Sequence, residues 1–231
     1  MIRLLLVNPN STVEMTERMG LTARALVADQ AEIVLRTNTE GPPAIQGSRD
    51  GVLAAPGLLQ ILGSESFNAG VIACFDDTAL AAAQEICPVP IVGIGQASFH
   101  AACLLARRFA VLTTLPISVP VIEDNLQRYG LAGRCQGVVA SGIAVLDLER
   151  DPEGSTAHLI EVAEQVLVRL CPDVLVLGCA GMTGMAQSLT AKLGIPVIDP
   201  VMAAISLALG LVGLISSDAL AEAGRSERLR L

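Results

Sequence analysis

Short apolar runs alternate along the chain with longer stretches in which apolar residues return every three or four positions. Ile2 to Val7, Ala31 to Thr37, the run from Ala69 to Cys74, and Pro90 to Ile94 read as strands, mostly of the continuous kind that is buried on both faces of a parallel sheet. The helical spacing between them covers Thr12 to Ala28, Ser48 to Leu62 and Ala79 to Ile86, and Ser11 with Glu14 three residues later reads as a capping box for the first helix. Gln96 to Arg107 reads as a linking helix. A second series then begins, with strands at Phe109 to Thr114, Cys135 to Ala140, Asp173 to Cys179 and Ile195 to Asp199. Its helices fall at Ile117 to Tyr129, Asp151 to Leu170, Met182 to Leu193 and Val201 to Ile215, followed by a polar tail to Leu231. Asn38 to Gln46 is a Gly/Pro-rich connection that serves either as surface linkage or as cover for a cleft.

The second series copies the first. Cys179 lies 105 positions after Cys74, and both close an apolar run that leads into a helical pattern. The same offset maps Thr183 onto Thr78, Thr113 onto Asn8, and Val138 to Ala140 onto Ile33 to Leu35, while Pro196-Val-Ile-Asp-Pro matches Pro90-Ile-Val-Gly-Ile with one residue of slip. A repeat on this scale predicts an α/β protein of two similar Rossmann-like lobes with parallel sheets, related by a pseudo-two-fold axis. Each lobe presents one cysteine at a corresponding strand end. If the lobes face each other, the active site lies in the cleft between them and the two thiols meet there.

Composition narrows the use of that cleft. The 231 residues are 52% hydrophobic, with only four Phe and one Tyr, which suits helices packed over parallel strands. A net charge of −8 without a Lys/Arg cluster argues against nucleic acid as a partner. The longest apolar tract, Val201 to Ile215, is interrupted by Ser206, Gly210 and Gly213 and is short of the roughly 20 residues a membrane span needs, so it reads as a buried helix. The N-terminal apolar run leads straight into Asn8-Pro9-Asn10 without the layout of a signal peptide, and the expectation is a soluble cytoplasmic protein with no membrane partner.

Six cysteines without a C-x-x-C pair or a His at zinc spacing predict no metal site. Cys87, Cys103, Cys135 and Cys171 read as small buried apolar residues, whereas Cys74 and Cys179 stand out by the repeat. His100 and His158 fall in helices away from both cysteine turns, so the usual base for a nucleophilic cysteine is missing. Two symmetry-related thiols suggest acid/base groups on opposite faces of one carbon, one thiolate removing a proton while the other thiol delivers one. The free thiol value near 8.5 has to be lowered for this, a role open to the N-termini of the helices that follow both cysteines. Asn8 and Asn10 offer amides from the first strand end, and Thr113 and Thr114 offer hydroxyls from the corresponding place. Asp76 and Asp77 read chiefly as partners of the dipole of the helix that follows them.

Val7-Asn8-Pro9-Asn10-Ser11-Thr12, Ala73-Cys74-Phe75-Asp76-Asp77, the stretch Gly93 to Ala102, and Gly178-Cys179-Ala180-Gly181-Met182 together resemble the hydantoin and allantoin racemase branch of the aspartate/glutamate racemase superfamily. The likeness spans nearly the whole chain. It implies a cofactor-independent racemase of a cyclic ureide, acting on a small-molecule substrate through Cys74 and Cys179 and associating into a homo-oligomer. It also implies substrate contacts from Asn10, Ser11, Thr114, Phe75, Asp76 and the turn Ala180, Gly181, Met182. The final helix is expected to pack back on the first lobe, giving a first lobe of residues 1–95 plus 205–231 and a second of 96–204. Gln96 stands where the family usually has an acidic residue, and neither cysteine has the Cys-Asn-Thr or Cys-Thr-His neighbourhood of glutamate racemases. The alternatives are an amino-acid racemase, a maleate isomerase, an arylmalonate-type decarboxylase, or a small-molecule binding protein without activity.

Overall fold

The computed structural model describes residues 1–215, so the polar tail lies outside the described residues. The first half runs β1 (Ile2–Asn8), α1 (Val13–Val27), β2 (Ala31–Thr37), α2 (Ser48–Ser64), β3 (Ala69–Ile72), α3 (Leu80–Ile86) and β4 (Ile91–Gly93), and α4 (Ile94–Leu105) leads out of it. The second half repeats the series as β5 (Phe109–Thr113), α5 (Val119–Arg128), β6 (Cys135–Ala140), a short α6 (Asp147–Arg150), α7 (Pro152–Leu170), β7 (Val174–Leu177), α8 (Ala186–Leu193), β8 (Val197–Ile198) and α9 (Pro200–Leu214).

Each half forms one parallel four-stranded sheet, ordered β2-β1-β3-β4 and β6-β5-β7-β8. The repeat extends to the hydrogen-bond register. Leu4 pairs with Ala69 in the first sheet and Phe109 with Val174 in the second, both shifted by the spacing that separates the two cysteines. In both sheets the order reverses direction at the central strand, which opens a crevice at the carboxyl ends of the strands beside it. β3 and β7 deliver their cysteines to that crevice. The Ala73 N–H donates to Val7 O at 2.9 Å, and at the matching place the Gly178 N–H donates to Leu112 O at 2.8 Å.

The helices that leave the two sheets change places. α4 follows β4 yet packs against β7, β8 and α5, and α9 follows β8 yet packs against β3, β4 and α1. One hydrophobic core therefore runs from Leu4 and Leu6 through Phe99 and Phe109 to Val176 and Ala208, with a smaller cluster around Leu5, Leu58 and Ile72 on the outer face of the first sheet. Phe99 on α4 is the pivot: it stacks on Phe109 with ring centres 6.0 Å apart and meets Phe75 edge-on at 5.4 Å. Among the described residues no helix is long and apolar enough to cross a membrane.

Two local expectations fail. α1 has no capping box, because Ser11 spends its N–H on Pro42 O and Thr12 occupies the N-cap position without a side-chain cap. The entry to α1 is fixed instead by Asn10 Oδ1, which accepts from the Thr12 N–H, and by Asn8 Nδ2, which donates to Thr12 O. The four cysteines outside the repeat are also less buried than their composition implies: Cys171 is exposed, and Cys87, Cys103 and Cys135 are half-buried.

Candidate active site

Cys74 and Cys179 line one cavity between the lobes, together with Asn10, Phe75, Asp76, Thr114, Ser118 and Ala180, and with Met15, Ile45 and Val145 as its apolar wall. Its volume is about 30 Å³, room for one or two water molecules. The connection after β2 reaches into it: Ile45 is buried in the wall, and Gln46 Oε1 accepts from the Val145 N–H of the second lobe at 3.1 Å. That segment is therefore a cover and not surface linkage.

The remaining candidates from the strand ends lie off the cavity. Asn8 is fully buried, and its amide donates to Asn10 Oδ1, Thr12 O and Thr16 Oγ1, so it orders Asn10. Thr113 donates its hydroxyl to Gly178 O at 2.9 Å and ties β5 to the second cysteine strand. Ser11 holds Pro42, at the base of the cover. Gly181 and Met182 lie behind Cys179, where their N–H groups favour the charged form of its thiol; a side chain on Gly181 would begin 3.6 Å from the sulfur.

The expected helix N-termini are not at the sulfurs. After Cys74 the chain makes an irregular turn in which Asp77 and Ala79 have positive φ, and α3 starts only at Leu80. After Cys179 comes one turn of 3-10 helix, Ala180–Met182, and α8 starts only at Ala186. What survives is a pair of equivalent N–H groups, Asp76 at Cys74 and Gly181 at Cys179, joined by the Thr78 hydroxyl at Cys74 and by the Met182 N–H at Cys179. They do not prevail over burial. Desolvation first, and the negative charge of Asp76 after it, raise Cys74 well above the ordinary thiol value and Cys179 to about 12. Each thiol is neutral in this closed form.

Asp77 does not serve the helix that follows it. Its carboxylate accepts from the Gly95 N–H at 2.9 Å and the Gln96 N–H at 2.7 Å, and so caps α4, while Tyr129, at the C-cap of α5, donates its hydroxyl at 2.8 Å. The second lobe meets the same need in reverse. Asp199, at the end of β8, caps α9 through the Val201 and Met202 N–H groups and accepts from Thr183 and Gly184 of the second cysteine turn. In both lobes one carboxylate ties the cysteine turn to the helix that crosses over. Sequence reasoning missed this pair, and also Tyr129 and Asn125, whose amide donates to Asp76 O at 2.9 Å. The signal was there in the slipped alignment, which sets Gly93 against Asp199.

Burial raises Asp76 to about 6 and Asp77, despite its three donors, to about 7. A carboxyl whose value is higher in the folded than in the unfolded chain holds its proton more tightly when folded, so its stabilising share is complete below the unfolded value near 4 and is lost as pH rises through the folded value. The urea midpoint is therefore expected to fall between about pH 4 and pH 7, and Asp76→Asn to flatten that slope. A midpoint that rises over this range would contradict the burial of both groups.

Three comparisons bear on the chemistry. The sequence model of the family described as Asp/Glu/Hydantoin racemase matches residues 4–208. A hydantoin racemase of Rhizobium meliloti is 38% identical over 211 residues, covering 90% of this chain and 88% of that protein. Among solved structures, the allantoin racemase of Klebsiella pneumoniae superposes with a TM-score of 0.90 at 35% identity over 96% of this chain and 93% of that one, and the allantoin racemase of Pseudomonas fluorescens with a TM-score of 0.89 at 34% identity over 95% and 96%.

Proposed function

The chain belongs to the Asp/Glu/hydantoin racemase family and is an isomerase; on that premise we propose that it racemises a neutral cyclic ureide, a 5-substituted hydantoin or allantoin, by proton transfer between Cys74 and Cys179. The observation that carries this reading is the meeting of two duplicated thiols in one cavity whose lining, among the described residues, has no Lys, Arg or His. One thiolate takes the hydrogen from carbon 5 of the ring, and the electron pair it leaves spreads into the adjacent carbonyl. The opposite thiol then gives its proton to the other face, so the configuration inverts and the negative charge has moved to the second sulfur. The reverse reaction uses that charge state, and release through solvent restores the first.

The electrostatics favour one charge on the pair. Ionised Cys179 raises the value of Cys74, so the mono-anion is preferred to the dianion. Because 30 Å³ does not admit a five-membered ring, the cover and the lobes have to part before substrate enters. Opening hydrates the sulfurs and brings them back toward the ordinary thiol range near 8.5, which is when the thiolate forms.

The same charges speak against amino acids, malonates and maleate. A substrate carboxylate would meet a thiolate and Asp76 without a cation in the lining that the described residues form. Two like charges 4 Å apart repel by about 4 kcal/mol at an effective dielectric of 20, nearly three decades in binding. The test is to incubate enantiopure 5-benzylhydantoin and allantoin in deuterated water and to follow optical rotation and deuterium at carbon 5 against an enzyme-free control. Loss of rotation matched by deuterium uptake is expected, with no turnover of glutamate or aspartate. Unchanged rotation with every hydantoin and with allantoin would refute the reading.

A further inference from the structure

Asp76 uses each of its polar groups differently. Its N–H faces the Cys74 sulfur, its carbonyl accepts from Asn125 across the lobe boundary at 2.9 Å, and the residue lines the cavity. Within its side chain Oδ2 is buried and accepts no hydrogen bond from a protein group among the described residues. Buried carboxylate oxygens without donors are uncommon because leaving one unmatched is costly, more so for a charged group. Among the described residues, the side chains besides the cysteines whose charges act with its own are Asp50 and Asp77, both acidic. The backbone N–H of Gly47 is the group that eases its charge. An acceptor without a protein donor, in an acidic setting, suits a neutral donor carried by the ligand.

We propose that Asp76 is a specificity-determining residue: its free carboxylate oxygen accepts a hydrogen bond from the ring N–H bonded to the reacting carbon of the substrate. The position follows from adjacency. Asp76 is two residues from Cys74 and turns its own N–H to that sulfur, so when the sulfur is at carbon 5 the neighbouring ring nitrogen, N1, is the donor within reach. The proposal rests on the ureide reading above and adds to it a reason for the choice of ureide: the site pairs an acceptor with an N–H that a malonate or maleate lacks. A site built around such a bond rejects the analogue without the hydrogen, because its own polar group is then left unmatched.

The experiment compares 5-benzylhydantoin with its N1-methyl and N3-methyl derivatives, in the wild-type enzyme and in Asp76→Ala. In the wild type, kcat/KM is expected to fall at least about tenfold on N1-methylation and by less on N3-methylation. In Asp76→Ala the N1 penalty is expected to shrink to about threefold or less. An N1 penalty of the same size in both proteins is steric, and overturns the proposal, as does its absence from the wild type. A binding readout covers the case in which Asp76→Ala does not fold: 5,5-dimethylhydantoin has no hydrogen at carbon 5, and its N1-methyl form is expected to inhibit the wild type at least about tenfold less well. Equal inhibition by the two overturns the proposal. Failure of the parent hydantoins to racemise would instead sink the ureide reading itself.

Discussion

Cys74→Ser and Cys179→Ser are each expected to lower racemisation by about a thousandfold or more, in keeping with what one positioned acid or base contributes. An alcohol is a far weaker acid than a thiol, so serine on either side can neither hold the negative charge nor return it. The two variants are not equivalent in what they retain. A protein with one working sulfur can still remove and return the hydrogen of the enantiomer that presents it to that sulfur. Deuterium exchange without inversion is therefore expected for one enantiomer with Cys74→Ser and for the other with Cys179→Ser. Chiral chromatography combined with mass spectrometry reads both quantities, and undiminished racemisation by either variant would remove the two-base scheme.

Gly93→Ala is expected to be nearly as damaging although it touches no thiol. A methyl group at position 93 would lie 2.0 Å from Asp77 Oδ1 and 2.5 Å from its carboxyl carbon. The backbone there is ordinary, with φ −84 and ψ 143, so the requirement is for space. Asp77 has three donors holding it and cannot swing aside cheaply. Overpacking together with the loss of charged hydrogen bonds is expected to cost about 3 kcal/mol or more. Displacing the first cysteine turn by even 1 Å is expected to lower kcat/KM by about a hundredfold. Thermal unfolding and kinetics at a temperature where the variant remains folded separate the two effects. A variant that matches the wild type in both would show that the Asp77 latch is dispensable.

The alternation of apolar runs with helical spacing made both sheets legible, because parallel strands buried on two faces leave an unmistakable run and the repeat doubled the evidence. Position within that repeat also marked Cys74 and Cys179. The latches were hidden for a physical reason. Asp77 acts on Gly95 and Gln96, eighteen and nineteen positions away, and on Tyr129 in the other lobe; only folding makes them neighbours. The thiol acidities failed for the same cause, since local N–H groups can be read from a turn but desolvation depends on how far the lobes close. Ser11 and Glu14 satisfied a local rule for helix entry, yet the buried amide of Asn8 had already organised that corner.

The crossing of α4 and α9 has an implication for ancestry. A stand-alone half of this chain would extend its last helix away from its own sheet, leaving apolar strands uncovered. Two identical copies would complete each other by trading that helix about a two-fold axis. Fusing such a swapped pair into one polypeptide frees each half to diverge, and the carboxylate supplied by Asp77 on one side and by Asp199 on the other is the mark such divergence would leave.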